Sequence, residues 1–257
     1  MNSLTAEAIG QHLLTEGLTV EVYSCVASTN GLVKERAENG ADEGLVVIAD
    51  SQSAGRGRLG RSFCSPAGTG LYMSILIRPQ MAVERAMSVT TLAAVAVCRA
   101  IEQLSDRKAT IKWVNDVYCD GKKVCGILTE AAVSPEGLSY AVLGIGINVS
   151  DPIDGYPAEI ADRAASVYGQ QKGDRAVFAA AVIDAFFEEY THLEQSGYVK
   201  EYIGRSCLVN TAIVVHTPAG EKAATALGVD EQCRLLVRYE DGREETLSSG
   251  DVSIRLA

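Results

Sequence analysis

Apolar positions recur along this chain with two spacings, and the spacings divide it into elements. Ile9, Leu13 and Leu14 predict a short amphipathic helix within residues 5–16. "STNGLVKERAENG" (28–40) reads as a turn feeding a helix, with Gly40 as its stop. "GLVVIAD" (44–50) is rich in β-branched residues and predicts a buried strand; "GLYMSILIRP" (70–79) predicts another, closed by Pro79. Residues 84–104, ending "TTLAAVAVCRAIEQL", carry the strongest helical pattern. "TIKWV" reads as a strand, and "DVYCDGKKVCGILTEAAV" as a hairpin turning at Asp120-Gly121. "LSYAVLGIGINV" (138–149) is a further strand, followed by a long helix at about 175–194.

After Gly204 the texture changes to short alternating strands, with a hairpin turn at Asp241-Gly242, as in a small β-barrel. The order is not a regular β-α-β alternation. It predicts an α+β fold with a mixed or antiparallel sheet and packed helices, divided into residues 1–203 and a β module at 204–257.

The composition fits an ordered globular chain: 257 residues, 47% apolar and 22% charged. A net charge of -10 argues against a general nucleic-acid binder. No run of about 18 apolar residues stands out as a membrane span, and the N-terminus lacks the basic and apolar regions of a signal peptide. Seven cysteines without a CxxC pair suggest reduced thiols, as in the cytoplasm, and neither a disulfide framework nor a zinc site. Three dispersed histidines give no metal-ligand or triad spacing.

Against that acidic background, Gly55-Arg56-Gly57-Arg58-Leu59-Gly60-Arg61 stands out. Glycine lets a ligand approach the backbone, and arginine makes bidentate bonds to phosphate or carboxylate. The pattern is neither a P-loop nor a dinucleotide fingerprint. A solvated basic turn explains it equally well when it is taken alone. Lys112 and Trp113, in "KWVND" (112–116), read first as a surface lysine and a core aromatic. Lys112 at a strand end could also meet developing negative charge. Ser28-Thr29-Asn30 reads first as a helix cap.

"STN" (28–30), "SQSAGRGRLGRSFCSP" (51–66), "KWVND" (112–116), "KKVCGILTE" (122–130), "GIGINV" (144–149) and "LSSGDVSIR" (247–255) occur in that order. Together they resemble the signature blocks of biotin protein ligases over roughly residues 23–257. Val114 stands where that family commonly has proline, and Phe63 where tryptophan is frequent. Valine is expected to keep the strand extended. Only about twenty residues precede the first block, so the chain resembles the ligase-only form, without a winged-helix DNA-binding domain.

The resemblance implies a biotin/lipoate-ligase-like catalytic domain with an SH3-like C-terminal β-barrel. It implies synthesis of biotinyl-5′-AMP from biotin and ATP, with Mg²⁺ on the phosphates. Biotin would then pass to a lysine of a biotin carboxyl carrier protein of acetyl-CoA carboxylase, or of another biotin-dependent carboxylase. Lys112, Arg58 and Arg56 are the implied catalytic cations. Ser28, Thr29, Asn30, Gln52, Gly55, Gly57, Trp113, Gly126 and Ile127 would join them around biotin. Gly60, Arg61, Asn115, Asp116 and Asn148 would serve ATP, in a division the sequence leaves open. The sheet edge of the 117–130 hairpin could dock the acceptor or pair two copies as a homodimer. The rival readings are a lipoate or octanoate ligase and a non-catalytic biotin or nucleotide sensor.

Overall fold

A computed structural model describes residues 4–79, 86–134, 137–217 and 220–254. Seven strands form the main sheet: β1 (Thr19–Tyr23), β2 (Leu45–Ala49), β3 (Gly70–Ile77), β4 (Ala109–Lys112), β5 (Asp116–Cys119), β6 (Lys122–Ser134) and β7 (Gly137–Asn148). Their order is β1-β2-β3-β7-β6-β5-β4. β1 runs parallel to β2 and the other pairs are antiparallel, so the sheet is mixed. Every residue of β2 and β3 is buried, which explains their continuous apolar runs: both faces of the sheet are covered.

One face carries α3 (Ala86–Leu104), which packs on β4–β7, α4 (Arg175–Tyr190) and α5 (Tyr198–Gly204). The window Met87–Leu104 has the length and hydropathy of a membrane span, but 67% of it is buried within the fold, as in a core helix. The opposite face carries α2 (Thr29–Glu38), whose Val33 and Ala37 pack on Leu45, Val47, Leu76 and Val142. Ser28 caps α2, and the chain leaves that helix through Gly40 at φ 87°, as the pattern predicts. Asp120 and Gly121 both have positive φ, the geometry of a type I′ hairpin turn.

The tail forms a five-stranded antiparallel sheet, β11-β10-β9-β8-β12, from β8 (Thr211–Thr217), β9 (Gly220–Val229), β10 (Leu235–Tyr239), β11 (Glu244–Leu247) and β12 (Asp251–Ile254). It shares one apolar cluster with the main sheet, to which Trp113, Tyr202, Leu208, Leu235 and Val252 all belong. Arg205–Cys207 also hydrogen-bonds β4 through Ile111.

Several expectations need correction. The first helix, α1, spans only Ala6–Gly10; the backbone of Leu14 and Thr15 is instead held by Asp184, which leaves Leu14 83% exposed. The strand β1 was not among the expected elements. α4 ends at Tyr190 rather than near 194. The strand at "TIKWV" ends at Lys112. Residues 113–115 form a turn, so valine does not extend the strand. The 117–130 hairpin is mostly interior, because β5 is flanked by β4 and β6. Only where β6 runs on past its last β5 partner, Gly126, does it pair with β7 alone. Residues 84–85 of the expected helix and Arg255 of the final block lie outside the described residues.

Candidate active site

The sheet face that carries α2 is bare beyond the N-terminus of that helix, because β6 and β7 present glycine there. Gly126 pairs with Gly146, and Gly144 pairs with Leu128 and Ser74. A Cβ on Gly144 would lie 2.1 Å from Asn30 Oδ1, and one on Gly146 would meet the Phe63 ring at 2.6 Å. These glycines are needed for close approach. They leave a cavity of about 110 Å³, smaller than the ~300–1,000 Å³ of ordinary small-molecule sites. Phe63 takes up part of it.

One side of the cavity is neutral. Thr29, Asn30 and Ser74 are at most 4% exposed, so their polar atoms need partners. Ser74 Oγ lies 2.6 Å from Asn30 Oδ1 and 2.8 Å from Thr29 Oγ1. The Thr29 backbone N–H donates to Gln52 Oε1 at 2.9 Å, and Gln52 Nε2 donates to Ser65 Oγ at 3.0 Å. Ser65 in turn donates to the Phe63 carbonyl. Asn30 Nδ2 donates to Glu130 Oε2 at 2.8 Å and to the Leu128 carbonyl at 3.2 Å. Arg56 closes this side, pairing with Glu130 at 3.2 Å and donating to Ser28 Oγ at 3.4 Å.

The other side is charged. The Arg-Gly loop is a closed hairpin: Gly57 N–H donates to Arg61 O at 2.7 Å, and Phe63 N–H donates to Gly55 O at 2.9 Å. Its reversal runs through Leu59 and Gly60, at φ 55° and 74°. Arg58 donates to Asn115 Oδ1 at 3.1 Å, while Asn115 Nδ2 donates to the Ile127 carbonyl at 2.8 Å. Arg61 forms an ion pair with Asp251, 190 residues away on β12. Lys123 Nζ lies 2.7 Å from Asp116 Oδ1, a buried oxygen with no well-angled donor among the described residues.

Of the residues marked in the sequence, Ser28, Thr29, Asn30, Gln52, Arg56, Gly57, Arg58, Arg61, Asn115, Asp116, Gly126 and Ile127 line this cavity. Five do not. Gly55 lies under the loop, where a Cβ would strike Phe63 O at 2.4 Å, and Gly60 serves the loop's turn. Asn148 donates to the Ala165 carbonyl. Trp113 is no wall of the site: it is 3% exposed and donates from Nε1 to the Cys233 carbonyl, joining the main sheet to the tail. Lys112 pairs across strands with Asp116, outside the lining, and burial lowers its pKa against the opposing pull of Asp116 and Asp251.

The cavity instead contains Lys123, Phe63, Gly144, Gly146 and Asp251, none of which carried an assignment. The two carboxylates of its lining, Asp116 and Asp251, are each paired with a cation. No group of three or more His, Cys, Asp or Glu side chains with metal-site geometry occurs among the described residues. The donors present among the described residues therefore do not make a protein-held Mg²⁺ site.

A basic loop facing a neutral, hydrogen-bonding cavity on a glycine-floored sheet suits a ligand with an anionic end and a neutral polar end, as an enzyme that activates a carboxylic acid on a nucleotide requires. Comparisons with known proteins narrow that class. Residues 22–148 match the biotin/lipoate A/B protein ligase family, and residues 209–255 match the biotin protein ligase C-terminal domain. The bifunctional ligase/repressor BirA of Bacillus subtilis is 33% identical over 96% of this chain and 75% of its own length. The biotin–[acetyl-CoA-carboxylase] ligase of Mycobacterium tuberculosis is 30% identical over 91% of this chain and 88% of its own. The Aquifex aeolicus biotin protein ligase solved with biotin and ATP superposes with a TM-score of 0.78 at 28% identity, covering 93% of this chain and 99% of that one. The chain belongs to the biotin protein ligase family.

Proposed function

We infer that this protein activates biotin with ATP and transfers it to a protein lysine. The observation that carries the reading is the two-sided cavity, in which Arg58, Arg61 and Lys123 face a neutral network of hydroxyls and amides. In the first step a biotin carboxylate oxygen attacks the α-phosphorus of ATP. The bond from phosphorus to pyrophosphate breaks and biotinyl-5′-AMP remains. In the second, the acceptor lysine amine attacks the acyl carbon, AMP leaves and a proton is lost.

Two anions must meet in the first step, so fixed cations at the reacting centre stabilise its transition state. That role goes to Lys123 and Arg58. Lys112, outside the cavity, acts on Asp116 instead. Asn115 orients Arg58, and Arg61, held by Asp251, reaches the nucleotide's phosphates. Ser28, Thr29 and Gln52 bind the ureido ring, whose N–H and C=O groups need fixed partners in a dry site. Phe63 must move off the glycines, since the cavity as it stands is too small for the adenylate.

We take residues 1–203 as the catalytic domain and 204–257 as a C-terminal domain that contributes Asp251. The acceptor is a biotin carboxyl carrier domain, which docks, or a second copy pairs, along β6 beyond Gly126. Seven free thiols suit the reducing cytoplasm, and a net charge of -10 gives no footprint for DNA.

The test is pyrophosphate release on mixing protein, ATP and Mg²⁺ with biotin or with lipoate. Release with biotin alone is expected. Release with lipoate alone would assign the chain to the lipoate ligases, and release with neither acid would leave a binding protein without ligase activity.

A further inference from the structure

Glu130 is absent from the cavity lining, yet one end of the neutral network rests on it. Asn30 turns one amide atom towards two groups that only accept, Glu130 Oε2 at 2.8 Å and the Leu128 carbonyl at 3.2 Å. That atom must be the nitrogen, so the amide oxygen faces Ser74. The single proton of the Ser74 hydroxyl goes to that oxygen, at 2.6 Å. With its one proton on Asn30, Ser74 has none to give to Thr29 Oγ1, the other acceptor it reaches, at 2.8 Å.

The far end is fixed independently. Ser65 donates to the Phe63 carbonyl and so accepts from Gln52 Nε2, which turns Gln52 Oε1 towards Thr29. The Thr29 hydroxyl therefore donates to Gln52 Oε1 at 3.2 Å. Its proton is spent within the protein, and no donor among the described residues is left for its lone pairs. Thr29 lines the cavity, so those lone pairs are what it offers a ligand.

We propose that Glu130 is a positioning residue: by fixing the polarity of the Asn30 amide it makes Thr29 a hydrogen-bond acceptor for a ring N–H of the biotin head. Lipoate has no such N–H, so the same device separates the two acids. With Glu130 removed, only the longer bond to the Leu128 carbonyl still holds the Asn30 amide, so Ser74 is freer to turn its proton to Thr29 and the acceptor is weakened. The proposal rests on the biotin reading above.

The test is calorimetric binding of biotin, and of its alcohol analogue lacking the carboxylate, to the whole chain without ATP. Glu130→Ala is expected to weaken both ligands by about tenfold, the worth of one buried hydrogen bond. Glu130→Gln keeps the shape but has one amide oxygen for both Arg56 and Asn30, so it also loses affinity. Unchanged biotin affinity in both variants overturns the proposal. Weakened biotin with an unchanged alcohol also overturns it, because Glu130 would then act through the charge of Arg56. If the unaltered protein binds neither ligand, the biotin reading itself fails.

Discussion

The two sides of the cavity are built on opposite principles. On the neutral side, Thr29, Asn30 and Ser74 are at most 4% exposed, and each donor meets an acceptor of fixed direction. Leaving one such group unpaired costs about 1–3 kcal/mol. On the charged side, Arg61 is 63% exposed and is held to Asp251 by an ion pair of a kind that contributes only about 0–1 kcal/mol. The neutral side can thus reject a wrong head group, while the charged side can release Arg61 to an incoming phosphate or carboxylate at little cost. On the proposed function, recognition falls to the rigid half and chemistry to the exchangeable one.

Substitutions should separate the halves, and the largest effect is expected at Lys123. Lys123→Ala should slow single-turnover adenylate formation by about 10²–10³-fold, the loss typical of one charge-stabilising group, with biotin affinity little changed. A rate within threefold of wild type would return the reacting centre to Arg58 alone. On the neutral side, Gly144→Ala drives a methyl group into Asn30. It should weaken biotin binding by about 10–100-fold, from a clash of roughly 1–3 kcal/mol; calorimetry with a parallel thermal melt checks that the fold survives.

A smaller change is expected for Asp251→Asn, which frees an exposed arginine. The KM for ATP should shift by no more than about fivefold and the KM for biotin should stay constant. Equal shifts in both would mean that the tail reaches across the whole cavity. The smallest effect concerns Lys112. Burial holds its pKa below 10.5, so between that depressed value and 10.5 the unfolded chain binds more protons. The stability tied to this group therefore rises with pH. Lys112→Met should raise the Tm by about 2 °C at neutral pH, and paired melts should show the gain shrinking as pH approaches 10.5. A gain independent of pH would disconnect it from the lysine's charge.

Much of this architecture is legible in the residues. The β-branched runs become the buried strands, Asp120-Gly121 makes the predicted turn, and the Arg-Gly loop borders the predicted site. These features depend on local backbone preference and on side-chain chemistry, which neighbours in sequence already express. The glycines of "GIGI" were also visible, as small residues at every second position of a strand, where one face of a sheet is left bare.

Tertiary structure decided the rest. Register between β5 and β6 shifts by one residue, so that Val117 faces Cys125 and Tyr118 faces Lys123. In a regular strand, Lys123 and Gly126 would point to opposite faces. Across this bulge Lys123 Nζ instead comes within 3.0 Å of where a Gly126 Cβ would be, and alternation read along the sequence misassigns it. Trp113 left the site because the tail packs beside the turn that holds it, and Asp251 entered because β12 folds back over 190 residues to reach Arg61. The order of the residues fixed which groups were available to bind an acid and a nucleotide. Which lysine lines the cavity was decided by strand register and domain packing, interactions between segments far apart in the chain that no local pattern encodes.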